Sequence, residues 1–186
     1  GGADANENAV KLARGYTHKH KILARYRSYH GASAGAMALT GDPRRLPWEP
    51  TLMPGVVHFL DPYRYRSTFH RTNPGISEEE FTQDYLNHLE EVILYEGPET
   101  IAAVLLESVT GTNGIIIPPA GYLAGVRTLC DKYGILMIAD EVMSGFGRTG
   151  EWFAINHWGV EPDLMTMAKG LTSAYAPLGA VGMRPE

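Results

Sequence analysis

Ile135-Leu136-Met137-Ile138-Ala139 is an unbroken apolar run that ends on Asp140. It reads as a β-strand covered on both faces, with a carboxylate at its carboxyl end. Leu164-Met165-Thr166-Met167-Ala168 reads the same way and ends on Lys169. Upstream, Ile101 to Glu107 is a third continuous apolar strand, and Tyr122 to Tyr133 carries a helical pattern between the first and third of these. Strand and helix thus alternate from Ile101 onward. That order predicts an α/β fold, a mostly parallel sheet with helices on both faces.

A lysine and an aspartate at the carboxyl ends of two such strands need a chemical reason. Most lysines at strand ends have simply reached the surface, because an unpaired ammonium is rarely buried. An acid after a strand is most often a loop or helix cap. Ligands of open α/β sheets, however, bind outside the carboxyl ends of the strands, where an amine and a carboxylate can face one cofactor. Pyridoxal phosphate uses that pair, lysine for the Schiff base and an acid for the pyridine nitrogen.

The 186 residues, 44% of them hydrophobic, suffice for one sizeable core and not for a second complete domain. A formal net charge of -5 with dispersed lysines and arginines leaves no footprint for nucleic acid or an anionic membrane. Small-molecule partners are expected, with no metal. Cys130 is the only cysteine, so no intramolecular disulfide is possible; it reads as core filling in a reducing compartment. No apolar run is long enough to span a bilayer and no basic-then-apolar leader opens the chain, so the reading is cytoplasmic. The start at Gly1-Gly2 and the stop at Glu186, just after the strand-like Leu178 to Val181, suggest the middle of a longer chain.

Elsewhere, Ala5 to Arg14 reads as a helix opened by glycines, Ile22 to Tyr26 as a short strand, Ser28 to Gly31 as a turn and Ala34 to Leu39 as a small-residue helix. Gly41 to Pro54, with four prolines, is expected to be loop. Val56 to Leu60 reads as strand and Asp61 to Gly75 as an aromatic, arginine-rich loop of functional or interfacial kind. Ser77 followed by Glu78, Glu79 and Glu80 is a capping-box start for a helix to about Tyr95, and Trp152 to Trp158 reads as a short amphipathic helix.

Together the motifs resemble the class III aminotransferases, pyridoxal-phosphate enzymes of fold type I, over essentially all 186 residues. The matching positions are Gly1-Gly2-Ala3 with Glu7 and Lys11-Leu12-Ala13-Arg14, Tyr29-His30-Gly31, Glu107, Asp140-Glu141-Val142, Gly145-Phe146-Gly147-Arg148-Thr149-Gly150 and Ala168-Lys169-Gly170. The resemblance implies that residues 1–186 are the core of the cofactor-binding large domain, without the N-terminal segment and the C-terminal small domain. Gly2 and Ala3 would hold the cofactor phosphate at a helix N-terminus, where unpaired N–H groups favour an anion, and the side chain of Asp4 would point away. Tyr29 would stack on one face of the pyridine ring and Val142 pack on the other. Gly31 would permit close backbone approach, and His30 would support the loop without a chemical step. Asp140 would hold the ring nitrogen protonated, Glu107 would sit on the substrate side, and Glu141 would support loop geometry. Lys169 would form the Schiff base and then act as the base that moves a proton on the substrate.

The activity so implied is transfer of an amino group from an amine or ω-amino acid donor to a keto-acid acceptor such as pyruvate. The implied assembly is a homodimer, or a dimer of dimers, through the active-site face. Two positions depart from relatives that handle ornithine or 4-aminobutyrate: Thr112 replaces a glutamate, and Met143 replaces a glutamine hydrogen-bonded to the cofactor's phenolic oxygen. Gly111 to Gly114 and Val142 to Gly145 look more like the ω-amino-acid:pyruvate branch, with its taurine and β-alanine enzymes. Other class III chemistry, such as an aminomutase, stays open. Gly145 to Gly150 also spells G-x-G-x-x-G, which would suit a nicotinamide-dependent oxidoreductase, although Phe146 is bulky for that turn. A non-catalytic homologue is a third reading, against which stand the intact Asp140 and Lys169.

Overall fold

The computed structural model describes residues 1–185. Six strands form one sheet: β1 (Lys21–Arg25), β2 (Val56–Phe59), β3 (Ile101–Glu107), β4 (Leu136–Asp140), β5 (Leu164–Met167) and β6 (Ala180–Met183), in the order β2-β1-β3-β4-β5-β6. All neighbours are parallel except β5 and β6, which pair antiparallel. The helices are α1 (Gly2–Thr17), α2 (Ala34–Leu39), α3 (Thr68–Thr72), α4 (Glu78–Glu96) and α5 (Tyr122–Tyr133).

The sheet separates two apolar layers. One joins Phe81, Tyr85, Leu89 and Ile93 of α4 and Leu123, Val126 and Cys130 of α5 to Val104 and Leu106 of β3. The other joins Ala9, Val10 and Ala13 of α1 and Leu39 of α2 to Ala103 and Leu105. Alternation along β3 assigns successive side chains to opposite layers. It slips once, at Ala102, where the register with β1 shifts and two consecutive alanines face α1. Burial pushes the Cys130 thiol up to about 12, which keeps it an inert part of the core.

Three expectations need correction. Residues Pro43–Thr51 form a 3-10 run, not open loop; Asp42 caps it through Oδ1, which accepts from Arg44 N at 2.9 Å. Proline at the start of such a run gives up no bond, because the first N–H groups have no partner within it. Inside the supposed loop Asp61 to Gly75 lie a 3-10 turn, Arg64–Arg66, and α3, which Ser67 caps at His70 N. The segment Trp152 to Trp158 is only a five-residue 3-10 turn, Ala154–Trp158, stopped by Gly159 in the left-handed conformation.

His58 on β2 stacks on Tyr26 at 5.3 Å and places Nε2 3.3 Å from the Leu39 carbonyl. Burial, aided by the charge of Arg45, lowers its pKa from 6.5 to about 4. Between those values the unfolded chain binds the proton and the folded chain does not. The contribution of His58 is therefore complete above pH 6.5 and lost as pH falls towards 4. Urea unfolding across that window should show stability falling by on the order of 2 kcal/mol, and His58→Phe should flatten the slope. An unchanged slope would assign the effect to other groups.

The order of the strands fixes where a ligand can sit. The connection after β1 leads to α2, beside α1, whereas the connection after β3 leads to α5, beside α4. Adjacent parallel strands whose connections leave to opposite faces open a crevice at their carboxyl ends.

Candidate active site

Asp140 ends β4, level with Glu107 of β3 and Thr166 of β5. Its Oδ2 accepts from Asn6 Nδ2 at 2.8 Å and lies 2.7 Å from His30 Nδ1; its Oδ1 accepts from Val142 N at 3.0 Å. Asn6 also donates to the His30 carbonyl at 2.8 Å, and Thr166 Oγ1 donates to Asn6 Oδ1 at 2.7 Å. All four side chains are buried. A carboxylate so held keeps acceptor capacity only on Oδ1, because both contacts on Oδ2 come from fixed groups. The His30 tautomer that suits it carries its proton on Nδ1, which leaves Nε2 buried without a partner. The loop support assigned to His30 from sequence therefore understates it: the ring rests directly on Asp140.

Glu141 has every oxygen occupied. Its Oε1 accepts from Ser108 Oγ at 2.6 Å and Ile155 N at 2.8 Å, and its Oε2 from Ser144 Oγ at 2.6 Å and Ala154 N at 3.0 Å. It ties three segments together and has no free edge for a substrate. Glu107 does related work in the crevice, with Oε1 accepting from Tyr29 N at 3.0 Å and Oε2 from Gly111 N at 2.7 Å. Burial pushes its carboxyl above the usual range, with the neighbouring Asp140 adding to the rise and His30 opposing it. From beneath, buried Arg25 donates through Nη2 to the Glu107 carbonyl and, at 3.3 Å, to Thr110 Oγ1.

Gly2, Ala3, Gly31 and Val142 are packed together, and the glycines are what allow it. A Cβ on Gly2 would lie 2.8 Å from Val142 Cγ1, and one on Gly31, at φ +139°, would lie 2.6 Å from Ala3 Cβ. The start of α1 thus faces the turn after β1 and the residue after Asp140, with Gly2 and Ala3 in its first turn, where N–H groups have no partner within the helix. Asp4 is exposed, its side chain turned outward. Gly35 N and Ala36 N donate to Glu7 Oε1, which caps α2 and fixes the far side of that turn. Gly111 has a similar reason, since a Cβ there would meet Met143 Sδ at 2.0 Å.

Lys169 follows β5, next to the strand that bears Asp140, with φ at +42°, a left-handed value unusual for a residue with a side chain. It is exposed, and its side chain makes no hydrogen bond among the described residues. The glycine-rich run Gly145 to Gly150 does not open a helix. Phe146 N donates back to the Trp152 carbonyl at 2.6 Å, and the chain passes on to the short 3-10 turn. A dinucleotide fingerprint needs its glycines between a strand end and a helix N-terminus, so the oxidoreductase reading loses its support.

Sequence reasoning missed Asn6, Thr166, Arg25 and Arg44. Asn6 sits on the buried face of an otherwise amphipathic helix, the one signal that was available. The residues present fit pyridoxal phosphate: a glycine-lined helix start suits the phosphate, and Oδ1 of Asp140 is open to a ring N–H. Among the described residues, no cluster of three His, Cys, Asp or Glu side chains is placed to hold a metal ion, and no helix is long and apolar enough to cross a membrane.

The crystal structure of a taurine:2-oxoglutarate aminotransferase from Bifidobacterium kashiwanohense, in complex with PLP and glutamate, superposes with a TM-score of 0.92 at 53% identity, over 98% of this chain and 41% of that one. The diaminobutyrate–2-oxoglutarate transaminase of Halomonas elongata is 44% identical over 97% of this chain and 39% of its own length. The taurine–pyruvate aminotransferase of Bilophila wadsworthia is 41% identical over 95% of this chain, again 39% of its own length. The chain therefore spans about two fifths of the curated relatives it matches. The sequence profile of the family described as "Aminotransferase class-III" matches residues 1–186, and with a mostly parallel sheet of the fold type I kind around Asp140 and Lys169, the chain belongs to the class III aminotransferases.

Proposed function

We propose that the full-length protein is a pyridoxal-phosphate-dependent aminotransferase, and that residues 1–186 are the core of its cofactor-binding domain. The observation that carries this reading is the Asp140 carboxylate, clamped by Asn6, His30 and Val142 with acceptor capacity left only on Oδ1, beside a glycine-lined helix start. When bound, the cofactor supplies an aldehyde and a pyridine ring that takes up the electron pair left as a substrate carbon loses its proton. Gly2 and Ala3 offer backbone N–H groups to the phosphate. Tyr29 and Val142 set the ring plane, and Gly31 lets the backbone come close. Asp140 would accept a hydrogen bond from the ring nitrogen and favour its protonated form, while His30 and Asn6 fix the carboxylate. Glu107 holds the loops of Tyr29 and Gly111 together at the substrate side. Lys169 would supply the amine that holds the cofactor aldehyde and, when free, the base that carries a proton on the substrate.

The donor is proposed to be an amine or ω-amino acid and the acceptor a keto acid such as pyruvate. The likeness to the taurine:2-oxoglutarate enzyme favours 2-oxoglutarate as a second acceptor. A reducing compartment such as the cytoplasm suits a chain whose single cysteine is buried. A homodimer through the site face is proposed from the exposed apolar side chains of Tyr65, Ile115 and Ile117 beside the loop after β3.

The test is borohydride reduction of the cofactor-loaded, full-length protein with peptide mapping, followed by a panel of taurine, β-alanine and 4-aminobutyrate against pyruvate and 2-oxoglutarate. A phosphopyridoxyl adduct on the Lys169 peptide and a keto or aldehyde product are expected. No adduct from a folded protein would overturn the reading, and an amine moved within a single substrate without an acceptor would turn it to an aminomutase.

A further inference from the structure

Arg44 stands at the rim of the crevice in a setting built to fix it. Its Nε donates to both oxygens of Asp42, at 3.0 and 2.8 Å, and Nη2 also reaches Asp42 Oδ2. The same Nη2 donates to Thr112 Oγ1 at 2.8 Å, and the guanidinium carbon lies 4.0 Å from the centre of the Tyr29 ring. One side chain thus bridges the turn after β1 and the loop after β3, the two walls of the crevice. Nη1 keeps both of its hydrogens without a partner among the described residues.

The pair is lopsided. The Asp42 side chain is 4% exposed and that of Arg44 48%, so the carboxylate is the buried anchor and the guanidinium the part that meets solvent. The bond to Asp42 raises the Arg44 pKa; burial alone would raise that of Asp42, but its bonds to Arg44 hold it below the usual range. The nearby Glu107 carboxyl adds to the field that favours the charged guanidinium, without a hydrogen bond to it. The Glu107 oxygens are committed to the N–H groups of Tyr29 and Gly111, and position 112 offers a neutral hydroxyl where a glutamate would neutralise the arginine. An arginine already held in one geometry gives an oxyanion a charge-assisted bond at little cost in side-chain freedom.

Resting on the aminotransferase reading, we propose that Arg44 binds the acidic group, carboxylate or sulfonate, at the far end of the amine donor. Donors bearing such a group are then preferred over amines that end in an alkyl chain.

The test compares Arg44→Lys and the double variant Asp42→Asn/Arg44→Met with the parent, all as cofactor-loaded full-length protein. The double variant avoids leaving Asp42 buried and unpaired. Three quantities are read: the dissociation constant of ethanesulfonate by calorimetry, the ratio of kcat/KM for taurine to that for n-propylamine, and cofactor affinity. The double variant is expected to weaken ethanesulfonate binding and lower the ratio by roughly 10- to 100-fold, as for loss of a charge-assisted hydrogen bond, mainly through KM, with Arg44→Lys between it and the parent. An unchanged ethanesulfonate constant overturns the proposal. So does an equal loss for both amines accompanied by weaker cofactor binding, which would make Arg44 a brace for Tyr29 alone. A parent that moves no amino group would overturn the aminotransferase reading, while the ethanesulfonate constants would still judge Arg44.

Discussion

Lys169→Ala in the full-length protein is expected to lower transamination by more than about 10⁴-fold, because in the proposed function one amine would serve both as the bond to the cofactor and as the proton carrier. The loss should not come with unfolding. Lys169 is exposed and unbonded among the described residues, and surface substitutions of that kind shift stability by no more than about 0.5 kcal/mol. Lys169→Arg keeps the charge without a usable nucleophile and should be as inactive. The measurements are steady-state turnover, thermal midpoint and adduct mapping on the same preparations. Turnover close to the parent's, in a protein whose adduct maps elsewhere, would sink the assignment.

Asp140→Ala should cost about 10²- to 10³-fold in kcat, the scale of removing one preorganised charged partner from a reacting centre. Unlike Lys169, Asp140 should also report in stability. His30 Nδ1, Asn6 Nδ2 and Val142 N would lose their acceptor together, and a buried donor left unpaired costs about 1–3 kcal/mol. Asp140→Asn separates the two effects: it keeps one acceptor and most of the packing, yet offers the ring nitrogen no charge. The expected result is a smaller stability loss than in Asp140→Ala, since the remaining oxygen can still serve Asn6 and His30 while the amide NH2 faces Val142 N, with most of the kcat loss retained. Full activity in Asp140→Asn would show that the charge is not needed.

β3 and β4 were legible because they are buried on both faces and read as continuous apolar runs, and β5, half-buried at alternate positions, because its run is apolar but for Thr166. The limits of α5, Tyr122–Tyr133, were legible because its apolar spacing ends at Gly134, where a left-handed cap favours glycine. The 3-10 segments were not. Proline signals the absence of an α-helix, and whether tight turns replace it depends on bonds such as Asp42 to Arg44, which composition does not display. The antiparallel sense of β6 was hidden too, since a four-residue strand reads alike in either direction. In the candidate site, residues at strand ends stood out as charges against apolar runs. Asn6, Thr166 and Arg44 did not, since a small polar residue on a helix or strand is ordinary until its partner is known. Those partners lie far off in sequence: Asn6 meets Asp140 across 134 positions and Thr166 across 160.

That separation gives the Asp140 cluster a property no single loop has. Its members come from α1, the turn after β1, the end of β4 and the middle of β5, so the set exists only once the first helix has docked on strands made much later in the chain. Such contacts are late and slow to form. A partly folded chain that has zipped β3 to β4 still lacks Asn6, His30 and Thr166, and has no complete acceptor to offer. A molecule that recognises the finished cluster therefore draws the whole sheet towards the native state by mass action, rather than tightening one segment.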